Sequence, residues 1–316
     1  MRIVSYNVRY FGHATRGIAS TPRAMDRIAS ALAGLAPLAD IVCLQEVETA
    51  SLRSNVAHPR ENADDTQLSR FAEKLELALL AAGTSEMYTA YYFPAHKYKL
   101  TPTTHVYTTG LAVLARRGLI IDHTNADVPM DITHRRPTAV KGLKQTRICA
   151  HVRFRERSGQ TVDVFNTHLS LPNAFSADFW KRSDKMGYGK NQLVEAENVA
   201  NFVDRERVSD RFVLMGDFNA LPGSPVYSYF AETRGYRDAF AAVKGYGEAP
   251  LRAWPTAGFM SLRMHLDHMF SGPGLQWKDF GDSHPFGERG GRFHGLSDHV
   301  PLVGTCEVHA GRASRR

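Results

Sequence analysis

The 316-residue sequence predicts one mixed α/β domain over residues 1–309, followed by a short basic tail at 310–316. Apolar runs of strand length alternate with helix-period segments, and several strand-like runs are joined by hairpin signals. The polar residues best suited to chemistry are scattered from Asn7 to His299, so a site built from them requires a single folded unit. Neither an internal repeat nor a low-complexity linker divides the chain.

Apolar content of 43% and charged content of 22% are those of a globular protein and argue against disorder, collagen and membrane spanning. Met1 to Val8 alternate like a strand and lack the basic start and apolar stretch of a leader, so the expected location is cytoplasmic, or secreted if a leader has been removed. Cys43, Cys149 and Cys306 each sit in an apolar strand-like run without Cys-x-x-Cys spacing, as reduced core residues do. A formal charge of +7 favours polyanionic partners, nucleic acid or another phosphate ester.

In chain order, Arg2–Val8 reads as a strand. Thr21-Pro22 caps and opens a helix whose Met25, Ile28, Leu32 and Leu35 form one stripe. Asp40–Leu44 is a short buried strand ending in Gln45-Glu46. After a polar loop at 51–65, a helix turns Leu68, Phe71, Leu75 and Leu79 inward and stops at Gly83. Tyr88–Phe93 and Gly110–Ala115 read as strands, with Pro94–Thr109 a loop between them. Arg147–Arg155 and Thr161–Asn166 form a hairpin about Ser158-Gly159, and the second strand runs into Thr167-His168-Leu169. A long polar–aromatic segment, Ser170–Lys190, precedes a helix at Asn191–Val203. A strand from Phe212 runs to Met215 and gives way to Gly216-Asp217-Phe218-Asn219. Ser224-Pro225 starts another helix, His265–Phe270 is a strand containing Asp267, and Val300–Val308 is the last.

Asn7, Glu46, His168, Asp217 with Asn219, Asp267, and Asp298 with His299 share one pattern. Each lies at or near the end of an apolar strand-like run, where a fold can hold a side chain rigidly and leave its tip exposed. A strand end rich in Asp and Asn is also an ordinary turn, since both residues bond their own backbone. The joint occurrence suits attack of water on a phosphate ester. That chemistry calls for a hard cation with oxygen ligands, which Glu46, Asp217, Asn219, Asn7 and Asp298 offer, and for imidazoles near neutral pH. The absence of paired cysteines and of a His-Glu-x-x-His helix argues against zinc at such a site.

The ordered set Ser5-Tyr6-Asn7-Val8, Leu44-Gln45-Glu46-Val47, Asn166-Thr167-His168-Leu169, Gly216-Asp217-Phe218-Asn219, Leu266-Asp267-His268 and Ser297-Asp298-His299-Val300-Pro301-Leu302 resembles the endonuclease/exonuclease/phosphatase superfamily, from Ile3 to about Val308. The resemblance implies a DNase I-like four-layer α/β sandwich, two packed mixed sheets flanked by helices. It implies Glu46 as principal metal ligand, with Asn7 and Asp298 near the ion or its waters, the ion being Mg2+ or Mn2+. Asp217 would activate the attacking water with help from Asn219, and His168 would bind the scissile phosphate. Asp267 would pair with His299 and keep it charged.

Substrate choice in that superfamily belongs to loops outside the core. In the segment after His168, Phe175, Phe179, Trp180, Lys181, Arg182, Lys185 and Tyr188 interleave rings with cations, which suits stacked bases and a phosphate backbone. Trp180, Lys181, Arg182 and Tyr188 are the expected substrate contacts. The same ingredients suit a lipid headgroup. The paired arginines Arg116-Arg117 and Arg135-Arg136 are further candidates for phosphate contact. Related inositol phosphatases carry Cys-Asp-Arg where this chain has Leu266-Asp267-His268, which speaks against inositol phosphates, while the stretch from Gly216 to Tyr227 is similar to deadenylase-type members. The expected activity is a divalent-metal-dependent nuclease. The alternatives are a sphingomyelinase-like or small-ester phosphatase with the same site, and a catalytically silent binding module. No obligate protein partner is expected.

Overall fold

A computed structural model of the chain describes residues 1–13, 21–48, 66–99, 105–134, 146–156, 159–172 and 185–308. Its strands are β1 (Arg2–Asn7), β2 (Ile41–Glu48), β3 (Tyr88–Lys99), β4 (His105–Arg116), β5 (Ile120–Thr124), β6 (Met130–Asp131), β7 (Ile148–Arg155), β8 (Thr161–His168), β9 (Phe212–Asp217), β10 (Arg237–Asp238), β11 (Ala257–Phe259), β12 (Leu262–Met264), β13 (Asp267–Ser271), β14 (Leu275–Asp279) and β15 (Leu302–Val308). The helices are α1 (Pro22–Ala33), α2 (Gln67–Ala81), α3 (Lys190–Glu206), α4 (Pro225–Ser228), α5 (Ala239–Lys244) and α6 (Glu248–Arg252).

Two large sheets carry the fold. The six-stranded sheet runs β14-β15-β1-β2-β4-β3, and the seven-stranded sheet runs β10-β13-β9-β8-β7-β5 with β6 beside β7. Both are mixed: β1–β2 and β8–β9 are parallel, their neighbours antiparallel. Alternation along each strand sorts side chains into layers. Val4, Val42, Leu44 and Leu114 pack outward against α1 and α2, while Phe165, Leu214 and Phe270 pack outward against α3 and α4. Between the sheets, Ile3, Ile41, Cys43 and Val113 meet Val152, Val164, Val213 and Met215. The four layers follow the expected architecture. The three cysteines are buried and unpaired, and among the described residues no helix is long and apolar enough to cross a membrane.

Capping and periodicity place α1 as the sequence predicts. Thr21 caps α1 by accepting from the Ala24 N–H at 3.2 Å, and Met25, Ile28, Leu32 and Leu35 are all buried. Two expectations differ. The segment Pro94–Thr109, read as a loop, instead contains the far arms of the β3–β4 hairpin, which pair out to Lys99 and His105. Pro94 does not stop β3, because β3 is the edge strand and a bulge follows the proline. Likewise β2 does not end at Leu44 but continues to Glu48 through a bulge. Leu44 pairs with Ala112 and the next paired residue is Val47, opposite Gly110. At the bulge Glu46 takes a positive φ of 55°, unusual for a residue with a side chain. The expected loop at 51–65, the turn residue Ser158 and the basic tail lie outside the described residues, and so does most of the polar–aromatic segment.

The bulge is held from the opposite sheet. Asn166, fully buried on β8, donates to the Leu44 carbonyl at 3.1 Å and the Ala112 carbonyl at 3.2 Å. Its own carbonyl accepts from Gln45 Nε2 at 2.8 Å, and Gln45 Nε2 lies 3.2 Å from Ser5 Oγ. One amide therefore satisfies both carbonyls of the pair where β2 and β4 lose register, and ties the two sheets together. An Asn166→Ala substitution leaves those groups buried without partners, at about 1–3 kcal/mol each. The expected loss of unfolding free energy is about 3 kcal/mol in urea titration; a loss below about 1 kcal/mol would contradict the clamp.

Candidate active site

Sheet register performs the first step of assembly. His168 on β8 lies beside Asp217 on β9, and Asp217 beside Asp267 on β13, so three candidate residues share one rung of the seven-stranded sheet. Gly216 makes room for it. Its φ is 145° and an added Cβ would collide with the Thr167 carbonyl, so only glycine fits immediately before Asp217. Phe218 is fully buried in the outer core and anchors the exit of β9. Asn219, at φ 47°, closes a turn in which its N–H donates to Asp217 Oδ1 at 2.9 Å. The sequence Gly-Asp-Phe-Asn thus makes an ordinary Asx turn through one carboxylate oxygen and leaves the other free for the site.

That second oxygen is the hub. Asp217 Oδ2 accepts from Asn7 Nδ2 at 3.0 Å, lies 3.5 Å from His168 Nε2 and 3.6 Å from His299 Nε2. Asn7, at the end of β1, also donates to Glu46 Oε1 at 3.2 Å, so one amide group links the carboxylates of the two sheets. Its Oδ1 accepts the Arg9 N–H at 3.0 Å; in this arrangement the amide nitrogen faces the carboxylates. Asp267 Oδ2 meets His299 Nδ1 at 2.8 Å. Asn219 Nδ2 donates to the Leu169 carbonyl at 2.9 Å and lies 3.3 Å from His168 Nε2. Asp298 pairs with Arg9 at 2.9 Å, and Ser297 Oγ donates to the Asn7 carbonyl at 2.8 Å, tying the last loop to the end of β1. All eight catalytic and metal candidates therefore converge.

Burial and mutual charge push these groups in different directions. Burial raises the Asp217 carboxyl to about 7; the His299 charge opposes this, and Asp267 and Glu46 add to it. Glu46 is raised by burial and then by facing Asp298. His168 is lowered well below the usual imidazole value by burial, then by the Arg147 and His299 charges, and stays neutral. For His299 burial works downward, but Asp267, Asp217 and Asp298 together raise it well above that value, so it is cationic. Two histidines on one aspartate are thus held in opposite protonation states.

The donor set fits a hard divalent cation. Glu46, Asp217, Asp267 and Asp298 crowd oxygen donors into a site where two carboxyls are already driven toward protonation by burial and by neighbouring carboxylates, and a cation would relieve that repulsion. Asp217, Asp267 and His299 also offer one ligand atom each within 4.8 Å of one another.

Sequence reasoning missed Arg9 and Arg147. Arg147 lines a cleft with Tyr10, Glu46, Thr109, Gly110 and His168; it makes no ion pair among the described residues, and its Nε is buried without a hydrogen-bond partner. Its place was deducible from the β7–β8 hairpin, whose register sets the start of β7 beside the end of β8. Arg116 and Arg117 are elsewhere: Arg116 is the last residue of β4 and pairs with Asp40, while Arg117 donates to the Met87 sulfur. Arg135, Arg136, Phe175, Phe179, Trp180, Lys181 and Arg182 lie outside the described residues. Tyr188 is 52% exposed just before α3.

Because Asp217 holds its proton more tightly in the fold than the usual 3.8, its contribution to stability is complete below that value and is lost as pH rises through about 7. In chelator, the melting temperature of the native chain is expected to fall relative to Asp217→Asn between pH 5 and pH 8. Parallel pH profiles for the two proteins would contradict this.

The fold has counterparts among known proteins. The catalytic domain of human Nocturnin, solved with bound sulfate, superposes with a TM-score of 0.61 at 17% identity, covering 98% of this chain and 93% of that one. The mannosyl-6-phosphatase Bt3783 of Bacteroides thetaiotaomicron gives 0.57 at 16% identity over 97% and 99% of the two chains. ANGEL2, a 2',3'-cyclic phosphatase, gives 0.58 at 15% identity over 96% and 94%. At these identities the likeness is one of fold. No curated protein sequence matches the chain. A family model does, from residue 4 to residue 299, and the chain therefore belongs to the Endonuclease/Exonuclease/phosphatase family, whose members are phosphoester hydrolases.

Proposed function

We propose that the chain is a divalent-metal-dependent phosphodiesterase that hydrolyses nucleic acid by direct attack of water on phosphorus. The observation that carries this reading is the His168–Asp217–Asp267 rung, closed by His299 and faced by Glu46. Glu46 and Asp298, with Asn7 orienting the carboxylates, would hold Mg2+ or Mn2+. When bound, the cation polarises a phosphoryl oxygen and offsets charge that would repel the nucleophile.

The remaining chemistry belongs to the protein. Asp217, fixed through Oδ1 by the Asn219 N–H, uses Oδ2 to orient water and accept its proton. Neutral His168 offers an N–H to a phosphoryl oxygen, and Arg147 supplies a positive charge in the adjoining cleft. His299 is charged and held by Asp267 through Nδ1, so Nε2 carries a proton for the leaving oxygen.

Nucleic acid is favoured by the formal charge of +7 and by the rings and cations from Phe175 to Tyr188, with Trp180, Lys181, Arg182 and Tyr188 as contacts. A second reading keeps the chemistry and changes the substrate to a small phosphate ester; the structural likeness to a mannosyl-6-phosphatase and a 2',3'-cyclic phosphatase supports it.

Gel assays on single- and double-stranded DNA and on RNA, run beside a sugar-phosphate release assay, should show nucleic-acid cleavage that requires Mg2+ or Mn2+ and stops in chelator. His168→Ala and Asp217→Asn should each lose at least about 100-fold in rate. Intact nucleic acid with phosphate released from the small ester would replace the first reading by the second. Full turnover in both variants would overturn the site.

A further inference from the structure

A second cluster of ligating side chains lies on the other face of the seven-stranded sheet. One ring nitrogen each of His123 and His151 and one carboxylate oxygen of Glu206 lie within 4.8 Å of one another. His151 sits on β7 opposite Phe165, whose ring packs in the outer core against α3; alternation along β8 turns His168 to the inner side. We propose that His123, His151 and Glu206 form a second metal site, distinct from the catalytic cluster and suited to a borderline divalent ion such as Zn2+.

The prepared state of His151 is the main support. Its side chain is wholly buried, stacked on Phe165 at 4.3 Å and edged by Phe202 at 6.1 Å, so the ring is fixed. Nε2 is held by Asp163 Oδ1 at 2.8 Å, whereas Nδ1 is buried and, among the described residues, has no hydrogen-bond partner. Burial opposes ionisation of Asp163, but its bonds to His151, the Val208 N–H and Arg153 prevail and keep it a carboxylate. A carboxylate on one imidazole nitrogen fixes the tautomer and leaves the other nitrogen as a lone-pair donor, the arrangement behind metal-bound histidines. Burial also lowers the pKa of His151, despite Asp163, so no proton competes for that lone pair near neutrality.

The other two ligands come from elements that end there. His123 is exposed on the edge strand β5, where the register slips between Ile121 and His123, a bulge that re-aims a side chain. Glu206 is the last residue of α3; among the described residues its carboxylate pairs only with the exposed Arg205, at 2.8 Å, a weak pair that a metal would displace. Two imidazoles and one carboxylate select zinc-like ions over Mg2+ and leave a fourth position for water. Bound there, the ion would tie the edge strand β5 to the end of α3.

The test is zinc stoichiometry by equilibrium dialysis on the native chain, His123→Ala and Glu206→Gln, with Co2+ absorption as a report on imidazole ligation. Neither substitution touches the catalytic cluster, so phosphoester hydrolysis should be unchanged. Each variant is expected to bind one zinc equivalent fewer, or to bind that equivalent at least about 10-fold more weakly, and to lose the matching cobalt bands. Equal stoichiometry and spectra in all three proteins, whether no zinc binds or all of it sits in the catalytic cluster, would overturn the proposal.

Discussion

The amide of Asn166 reaches from one sheet into the other and bonds the backbone on both sides of the register slip in β2. Without that slip Glu46 would lie in a regular strand, its side chain bound to one face by alternation. With it, Glu46 takes a positive φ and its carboxylate comes within hydrogen-bond reach of Asn7, which also bonds Asp217 from the opposing sheet. The proposed ion-binding half of the site belongs to the six-stranded sheet and the proposed water-activating half to the seven-stranded sheet. Their relative placement is therefore a matter of inter-sheet packing, and a buried polar clamp specifies it more sharply than interchangeable apolar contacts would.

Given that placement, electrostatics follow from crowding. Carboxylates that would each be ionised in water are buried around Asp217, and two of them are driven toward protonation. The same crowding charges His299 through Asp267 while leaving His168 neutral. The site is therefore destabilised as an isolated protein element and suited to a cation, which is the form in which a preorganised hydrolytic centre stores its interactions.

Much of this was legible in the sequence because chemistry at strand ends leaves a visible mark: apolar runs that stop in Asn, Asp or His. Asn7, His168 and Asp217 are found that way, Asp267 sits where a strand begins, and register aligns His168, Asp217 and Asp267. Glu46 follows the apolar run ending at Leu44 and is marked in the same way, but its true setting is hidden, since nothing local announces a bulge whose partner is Asn166, more than a hundred residues away. Arg147 was missed for the opposite reason. An arginine before a strand is commonplace, and only the hairpin register places it beside His168. Pro94 misled because its meaning depends on being at a sheet edge, a tertiary fact. The His123–His151–Glu206 cluster has no signature at all, joining an edge strand, its neighbour and a helix end.

In the proposed site the clamped bulge presents Glu46 to a cation facing the Asp217 rung. Anomalous diffraction from crystals of the native chain and of Glu46→Gln, both soaked in Mn2+, tests it most directly. A manganese peak touching the Glu46 carboxylate is expected in the native chain, and its loss in the variant. A peak held only by Asp217, Asp267 and His299, unchanged in Glu46→Gln, would contradict it.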